Sequence, residues 1–248
     1  MRRLGLIGGT GLDNWGAATR SHPLAGSYGQ PSAELTEYAV GDLQVFFLPR
    51  HGESHEIPPH AVNYRANIDA FRQLEVEGII AVNAVGGISN RNQPGTLTVP
   101  DQLIDYTWGR DHTFSLTATD ELAHIEFEKP FDGHLRPALI RASALASVEL
   151  SDGGCIGVTQ GPRLETAAEV KRLKQDGCDL VGMTSMPEAA LAREAGLDYA
   201  SLCINANWAA GLEKEPVTME AIEATLKDAM VEVRKLLGTL FEEFSNVR

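Results

Sequence analysis

The run Ile79-Ile-Ala-Val82 constrains the fold most, because four consecutive apolar residues leave no polar side to turn toward water. Such a strand is buried on both faces, the situation of a sheet covered by helices. Leu4-Gly-Leu-Ile7, Cys155–Val158, Leu180–Met183 and Tyr199–Ile204 are further short apolar runs. Between them, helical spacing runs over Asn67–Leu74 (with Gly78 ending the segment), Arg136–Leu150, Thr166–Gln175, Pro187–Ala195 and Glu220–Phe244. Thr36–Val40 and Leu43–Leu48 flank a Gly41-Asp42 turn and read as an antiparallel hairpin. Strands alternating with helices, plus that hairpin, predict an α/β fold with a central mixed β-sheet flanked by helices.

Leu97–Ile104 reads as one more strand, with Pro100 at a bulge or an edge. Residues 105–134 are irregular, polar and aromatic, and a loop of that length in a compact fold is functional or mobile. Repeats, low-complexity tracts and linkers are lacking, so 248 residues are expected to form a single domain spanning 1–248.

A net charge of −13 without a basic stripe argues against a nucleic-acid surface. An anionic ligand then needs a local cluster of donors to overcome the long-range field. No run approaches a membrane-spanning length, and Met1-Arg-Arg-Leu4 enters a buried-type strand without a signal-peptide core. Cys155, Cys178 and Cys203 have no metal-ligand spacing and read as reduced, buried thiols of a cytoplasmic protein. His51 and His55 are four apart, but Gly52 and Pro58-Pro59 make a helix there implausible, so no metal site is expected.

Several loops have the composition of a binding site. Gly8-Gly9-Thr10-Gly11 follows a strand and lets the backbone approach an anion, although an ordinary tight turn has the same sequence. Asn83-Ala84 and Gly86-Gly87 form a second such stretch, read as a turn after Val82, and Arg50-His51 stands at the end of a buried strand. Thr166 and Glu169 have the spacing of a capping box that opens a helix. That puts Glu165 at a loop-to-helix junction, where it serves either a cleft or, as a solvated acid, the positive end of the helix.

Gly161-Pro-Arg-Leu-Glu165-Thr-Ala-Ala-Glu169 followed by Val181-Gly-Met183-Thr184-Ser-Met-Pro187-Glu188 resembles the paired signature of the trimeric purine nucleoside phosphorylase and methylthioadenosine phosphorylase family. The resemblance extends to Gly8–Asp13, Arg50-His51-Gly52, Asn63-Tyr64-x-Ala-Asn67, Asn83–Gly87, Gln93-Pro-Gly95 and Tyr199-Ala-Ser201. It implies a nucleoside phosphorylase-like fold, a small-molecule nucleoside and inorganic phosphate as the two substrates, no metal or cofactor, and a homotrimer. By the same resemblance, Thr10, Arg50, His51, Ala84 and Thr184 match phosphate positions, and the planar fork of Arg50 suits two phosphate oxygens. Met183 matches the residue under the ribose, where a core Met is also accommodated. His124 matches a His that reaches the 5′ end of the sugar from a neighbouring subunit. His51, Glu165 and Asn207 are the expected catalytic residues.

The base pocket departs from the methylthioadenosine branch. That branch carries Asp at the positions of Asn207 and Ala209 and lacks the acid at Glu165; Glu165 with Asn207 is the pair expected for 6-oxopurines. An ionised Glu165 only accepts, which suits the N1–H of hypoxanthine and opposes the lone pair of adenine N1. Asn207 can donate to O6 and accept from N7–H, although an amide beside Trp208 also suits a turn. Val217, Met219 and Ile222 are apolar, as in the methylthio branch, and helical spacing of the last two is equally that of core packing. A 6-oxopurine pocket joined to a methylthio-sugar pocket predicts phosphorolysis of S-methyl-5′-thioinosine to hypoxanthine and 5-methylthioribose 1-phosphate. S-methyl-5′-thioadenosine, inosine or guanosine as substrates, or a catalytically silent nucleoside-binding protein, are the alternatives.

Overall fold

The structure, a computed structural model, describes residues 1–12, 14–115, 123–213 and 218–246. Asp13 of the first motif and Val217 of the apolar stretch lie outside the described residues. Within them the strands are β1 (Arg3–Gly8), β2 (Arg20–His22), β3 (Leu35–Val40), β4 (Leu43–Pro49), β5 (Gly78–Gly87), β6 (Leu97–Val99), β7 (Gln102–Asp105), β8 (Leu150–Asp152), β9 (Cys155–Val158), β10 (Leu180–Gly182) and β11 (Asp198–Trp208). The α-helices are α1 (Tyr64–Gln73), α2 (Leu135–Ala146), α3 (Ala167–Gln175), α4 (Ser185–Glu194) and α5 (Met219–Asn246).

All eleven strands join one mixed sheet, and β5 is its branch point. Along one edge β5 pairs in parallel with β11 over its whole length. Along the other edge two strands share it. β1 runs parallel beside residues 78–81, and β10 runs antiparallel beside Gly86 and Gly87. The C-terminal ends of β1 and β10 therefore point at each other, with residues 82–85 of β5 between them. Beyond β1 lie β4, β3 and β2; beyond β10 lie β9 and β7.

Several expectations change in detail. Asn83, Ala84, Gly86 and Gly87 belong to β5 itself rather than to a turn after it, because pairing with β11 and β10 continues to Gly87. The stretch Leu97–Ile104 is two strands, broken at Pro100, which lacks an N–H for the ladder. The helix read as Arg136–Leu150 stops at Ala146, where Ser147 turns left-handed and Leu150 opens β8. The last strand runs on to Trp208, so Asn207 is held in the sheet rather than in a turn. Helix α1 ends at Gln73, ahead of Glu75 at φ 51°, and Gly78 starts β5 instead of closing the helix. Cys203 and Cys178 are buried as expected, whereas Cys155 is half-buried.

Local rules explain the helix starts. Thr166 and Glu169 form both bonds of the capping box before α3. Asn63 caps α1 by accepting from the Ala66 N–H, and Asn67 braces the loop at Ser32. That motif thus serves the scaffold. Among the described residues, no helix is long and apolar enough to cross a membrane.

Apolar layers cover both sheet faces. On one side Val233, Leu236, Leu237, Leu240 and Phe241 of α5 pack with α2 against Leu4, Leu6, Ile80 and Leu202. On the other, Ile68 and Phe71 of α1 and Leu191 of α4 meet Ile7, Ile79 and Ala81. Leu237 has no exposed surface. Leu237→Ala is therefore expected to lower unfolding free energy by about 2–5 kcal/mol, read from the shift in urea midpoint at unchanged slope.

Candidate active site

The gap between the facing ends of β1 and β10 opens into a cavity of about 380 Å³. Gly9 and Thr10 enter it after β1, Arg50 and His51 after β4, Ala84 from β5, Met183 and Thr184 after β10, and Asn207 from β11. Glu165 lines it from the loop before α3, and Met219 and Ile222 from the first turn of α5. All the predicted site residues therefore converge except His124, which is exposed and does not line this cavity of its own chain. Ile222 is buried, whereas Met219 is largely exposed at the rim.

Close approach at the β1 end explains the glycines. A Cβ on Gly8 would lie 2.2 Å from the Leu12 carbonyl oxygen, and one on Gly9 2.6 Å from that of Val82. Gly9 also lies against Arg50, since the same Cβ would come 3.1 Å from its Nη1. A side chain at either position would displace the loop that carries Thr10.

Arg50 is buried and already engaged. Its Nε and Nη2 donate to the two carboxylate oxygens of Glu188 on α4 at 2.7 and 2.8 Å, and Nη1 donates to the Val82 carbonyl at 3.2 Å. Tyr199 on β11 donates its hydroxyl to Glu188 at 2.8 Å. Burial opposes the guanidinium charge, but Glu188 outweighs it and holds Arg50 charged beyond its ordinary range. The fork is thus already engaged along one edge. The Nε–Nη2 edge belongs to Glu188, and an anion in the cavity meets only the remaining Nη protons.

The Nδ1 of His51 faces the Ile57 carbonyl at 2.8 Å. A carbonyl only accepts, so Nδ1 carries the proton and Nε2 keeps its lone pair while the ring is neutral. Burial, then the neighbouring charge of Arg50, lowers the imidazole from 6.5 to about 4. At neutral pH His51 is an acceptor at Nε2.

Thr184 donates its hydroxyl to Asn83 Oδ1 at 2.9 Å. The orientation of that amide is set by its other end, where Nδ2 reaches Ser201 Oγ at 2.6 Å and the Ala81 carbonyl at 3.2 Å. Serving an anion would require the Thr184 hydroxyl to turn. On β11, Asn207 donates Nδ2 to the Trp208 carbonyl at 2.7 Å, which leaves one amide proton and Oδ1 for a ligand. Glu165 Oε1 accepts from Thr159 Oγ1 at 2.6 Å. Ala209 lines the cavity beside Asn207 without offering a polar group.

Residues 3–242 match the phosphorylase superfamily. The chain belongs to that superfamily. It is 47% identical over 240 residues to a probable S-methyl-5′-thioinosine phosphorylase of Xanthomonas campestris pv. campestris, covering 96% of each chain. It is 38% identical to the 6-oxopurine nucleoside phosphorylase of Pyrococcus furiosus, covering 96% of this chain and 91% of that one. Among solved structures, methylthioadenosine phosphorylase from Schistosoma mansoni in complex with adenine superposes with a TM-score of 0.94 at 33% identity, over 100% of this chain and 93% of that one. The α/β fold and the phosphorylase resemblance expected from the sequence both hold.

Against this superfamily background, two residues stand out that sequence reasoning did not single out. Glu188 sits within a quoted motif, but nothing in the spacing says that a residue 138 positions from Arg50 is its partner. Arg110 lies in the irregular stretch and is buried. Its Nη1 donates to the carbonyls of Met183 at 2.8 Å and Met186 at 2.6 Å, and its Nη2 to that of Gln160 at 2.9 Å. One guanidinium therefore bolts the loop before Glu165 to the turn that carries Met183 and Thr184.

Two outcomes follow from this geometry. Unfolded His51 takes up a proton near pH 6.5, whereas folded His51 resists until about 4, so its contribution makes stability fall as pH drops through that window and level off below it. Replacing His51 with Gln should flatten that part of the wild-type stability profile, measured by urea unfolding at stepped pH. Glu188→Ala leaves Arg50 buried without its counter-charge, which costs roughly 3–5 kcal/mol. The variant should also show a raised KM for phosphate with nucleoside KM little changed, in steady-state assays below its melting temperature.

Proposed function

We propose that the chain catalyses phosphorolysis of S-methyl-5′-thioinosine, releasing hypoxanthine and 5-methylthioribose 1-phosphate. The observation that carries this reading is the lining of one cavity. It brings together Arg50, His51 and Thr10, the acid and amide of Glu165 and Asn207, and the apolar Ile222 and Met219. Its volume of about 380 Å³ lies within the range of small-molecule sites. Relatives named for methylthioinosine and for 6-oxopurine nucleosides support the same substrate class.

In this reading phosphate is a co-substrate, and neither metal nor cofactor takes part. A phosphate oxygen attacks C1′ while the C1′–N9 bond breaks, and the purine leaves with the electron pair. Positive charge on the ribose is offset by the phosphate itself, so positioning and charge placement do most of the work. Arg50 orients the nucleophile through its unshared Nη protons. His51, accepting at Nε2, receives a hydrogen bond from a phosphate hydroxyl or a sugar hydroxyl. Ala84 offers its backbone beside the phosphate, and Met183 packs under the ribose.

Glu165 accepts from purine N1–H, and Asn207 donates its remaining amide proton to O6 while Oδ1 receives N7–H of the departing base. Adenine, with a bare N1 and an amino group at C6, mispairs with both. A 5′ hydroxyl facing Ile222 would lose its water without a partner, whereas a methylthio group loses little. His124 reaches the 5′ end of a neighbour's sugar in a homotrimer, and the enzyme works in the cytoplasm.

Phosphorolysis of methylthioinosine, methylthioadenosine, inosine and adenosine, compared in one assay, tests the reading; methylthioinosine should have the highest kcat/KM, and none should react without phosphate. Asn207→Asp combined with Glu165→Ser should move the methylthioinosine-to-methylthioadenosine ratio by at least about tenfold toward the adenine nucleoside. Wild-type preference for methylthioadenosine, or an unchanged ratio in the double variant, overturns the assignment.

A further inference from the structure

We propose that Thr159 is the positioning residue that sets nucleobase specificity, by anchoring one oxygen of Glu165 so that the other faces the base as a fixed acceptor. The inference rests on the reading of Glu165 as the partner of purine N1–H.

Glu165 lines two neighbouring spaces. One is the 380 Å³ cavity; the other, rear cavity measures about 330 Å³. Thr159 faces only the rear space. Its hydroxyl has one proton and two acceptors within reach, Glu165 Oε1 at 2.6 Å and the Gly182 carbonyl at 3.4 Å. The shorter, charge-assisted bond takes that proton. Glu165 makes no other hydrogen bond among the described residues, so this contact alone fixes its orientation.

Thr159 is itself well held. Its backbone N–H donates to the Gly182 carbonyl at 2.8 Å, and its own carbonyl receives Arg110 Nη2 at 3.4 Å. The anchor is therefore tied to β10, the strand that leads to Met183 and Thr184. A competing destination for the carboxylate exists. Arg163, bonded to Glu169 at 2.7 and 2.8 Å, also lines the rear cavity, where it offers a cation. Without the Thr159 hydroxyl, Glu165 has room and reason to swing away from the base.

An acceptor held in one place rewards N1–H and penalises the adenine lone pair; a mobile carboxylate does neither well. The hydroxyl thus acts on discrimination through Glu165, at a distance from phosphate.

The test is a mutant cycle on the full-length protein with methylthioinosine, methylthioadenosine and phosphate as variable substrates. Thr159→Val should lower kcat/KM for methylthioinosine by about tenfold to a hundredfold, the loss of one charge-assisted bond. Methylthioadenosine turnover should hold or rise, the phosphate KM should stay near wild type, Thr159→Ser should restore activity, and Thr159→Val should add nothing in a Glu165→Ser background. If Glu165→Ser collapses the discrimination while Thr159→Val leaves it intact, the inference fails and the base reading stands. If Glu165→Ser leaves discrimination intact, the base reading fails and takes the inference with it. Equal losses in the Val and Ser variants with a raised phosphate KM, or an undiminished effect of Thr159→Val in the Glu165→Ser background, would show a structural role only.

Discussion

The arrangement depends on one edge of β5 being shared by two strands that run toward each other. β1 uses residues 78–81 of that edge and β10 uses Gly86 and Gly87, which leaves residues 82–85 facing a gap instead of a partner. Backbone groups left without a strand partner there need another; the Val82 carbonyl takes Arg50 Nη1, and Ala84 and Val85 line the cavity. Ligand sites of open α/β sheets gather outside carboxyl ends of strands for the same topological reason. Here two such ends meet, so the loops after β1 and β10 contribute to one site from opposite directions.

Charge in that gap is managed by pairing. Arg50 and Glu188 neutralise each other in the interior, and Tyr199 completes the carboxylate's hydrogen bonds. A buried pair of this kind adds little net stability, because both charges lose their water. Its value is geometric: the guanidinium cannot rotate while one edge is clamped, so its remaining protons have a defined direction before any anion arrives. His51, neutral through burial and Arg50, adds an acceptor instead of a second cation. The protein carries a net charge of −13, so its affinity for an anion has to come from such local, oriented donors.

Asn207 and Glu165 line the same cavity and are held in different ways. Asn207 is held in β11 and bonded to its neighbour's carbonyl, whereas Glu165 projects from a loop and depends on one hydroxyl. Arg110 joins the Gln160 loop to the turn at Met183, since it holds carbonyls of both in a single buried group. Besides those carbonyl dipoles it meets the hydroxyl and the ring face of Tyr64, and burial lowers its proton affinity.

Much of this was readable in the chain. The apolar runs at Leu4–Ile7 and Ile79–Val82, the hairpin around Gly41-Asp42 and the capping box at Thr166 follow from patterns within a dozen residues, and such patterns survive folding unchanged. The gathering of Thr10, Arg50, His51, Ala84, Glu165, Met183, Thr184 and Asn207 was legible through motifs, because all but Ala84, which lies within β5, sit near the end of a recognisable strand or at a helix start. Local pattern could not say where β5 stops, since Asn83–Gly87 has the composition of a turn and stays extended only because β10 and β11 hydrogen-bond to it. Nor could it show that Arg50 spends half its fork on Glu188, that Thr184 gives its proton to Asn83, or that Arg110 crosses between loops. Those are contacts between residues 49 to 138 positions apart. Which groups meet over such separations is settled by strand order and register, quantities that no short stretch of sequence contains.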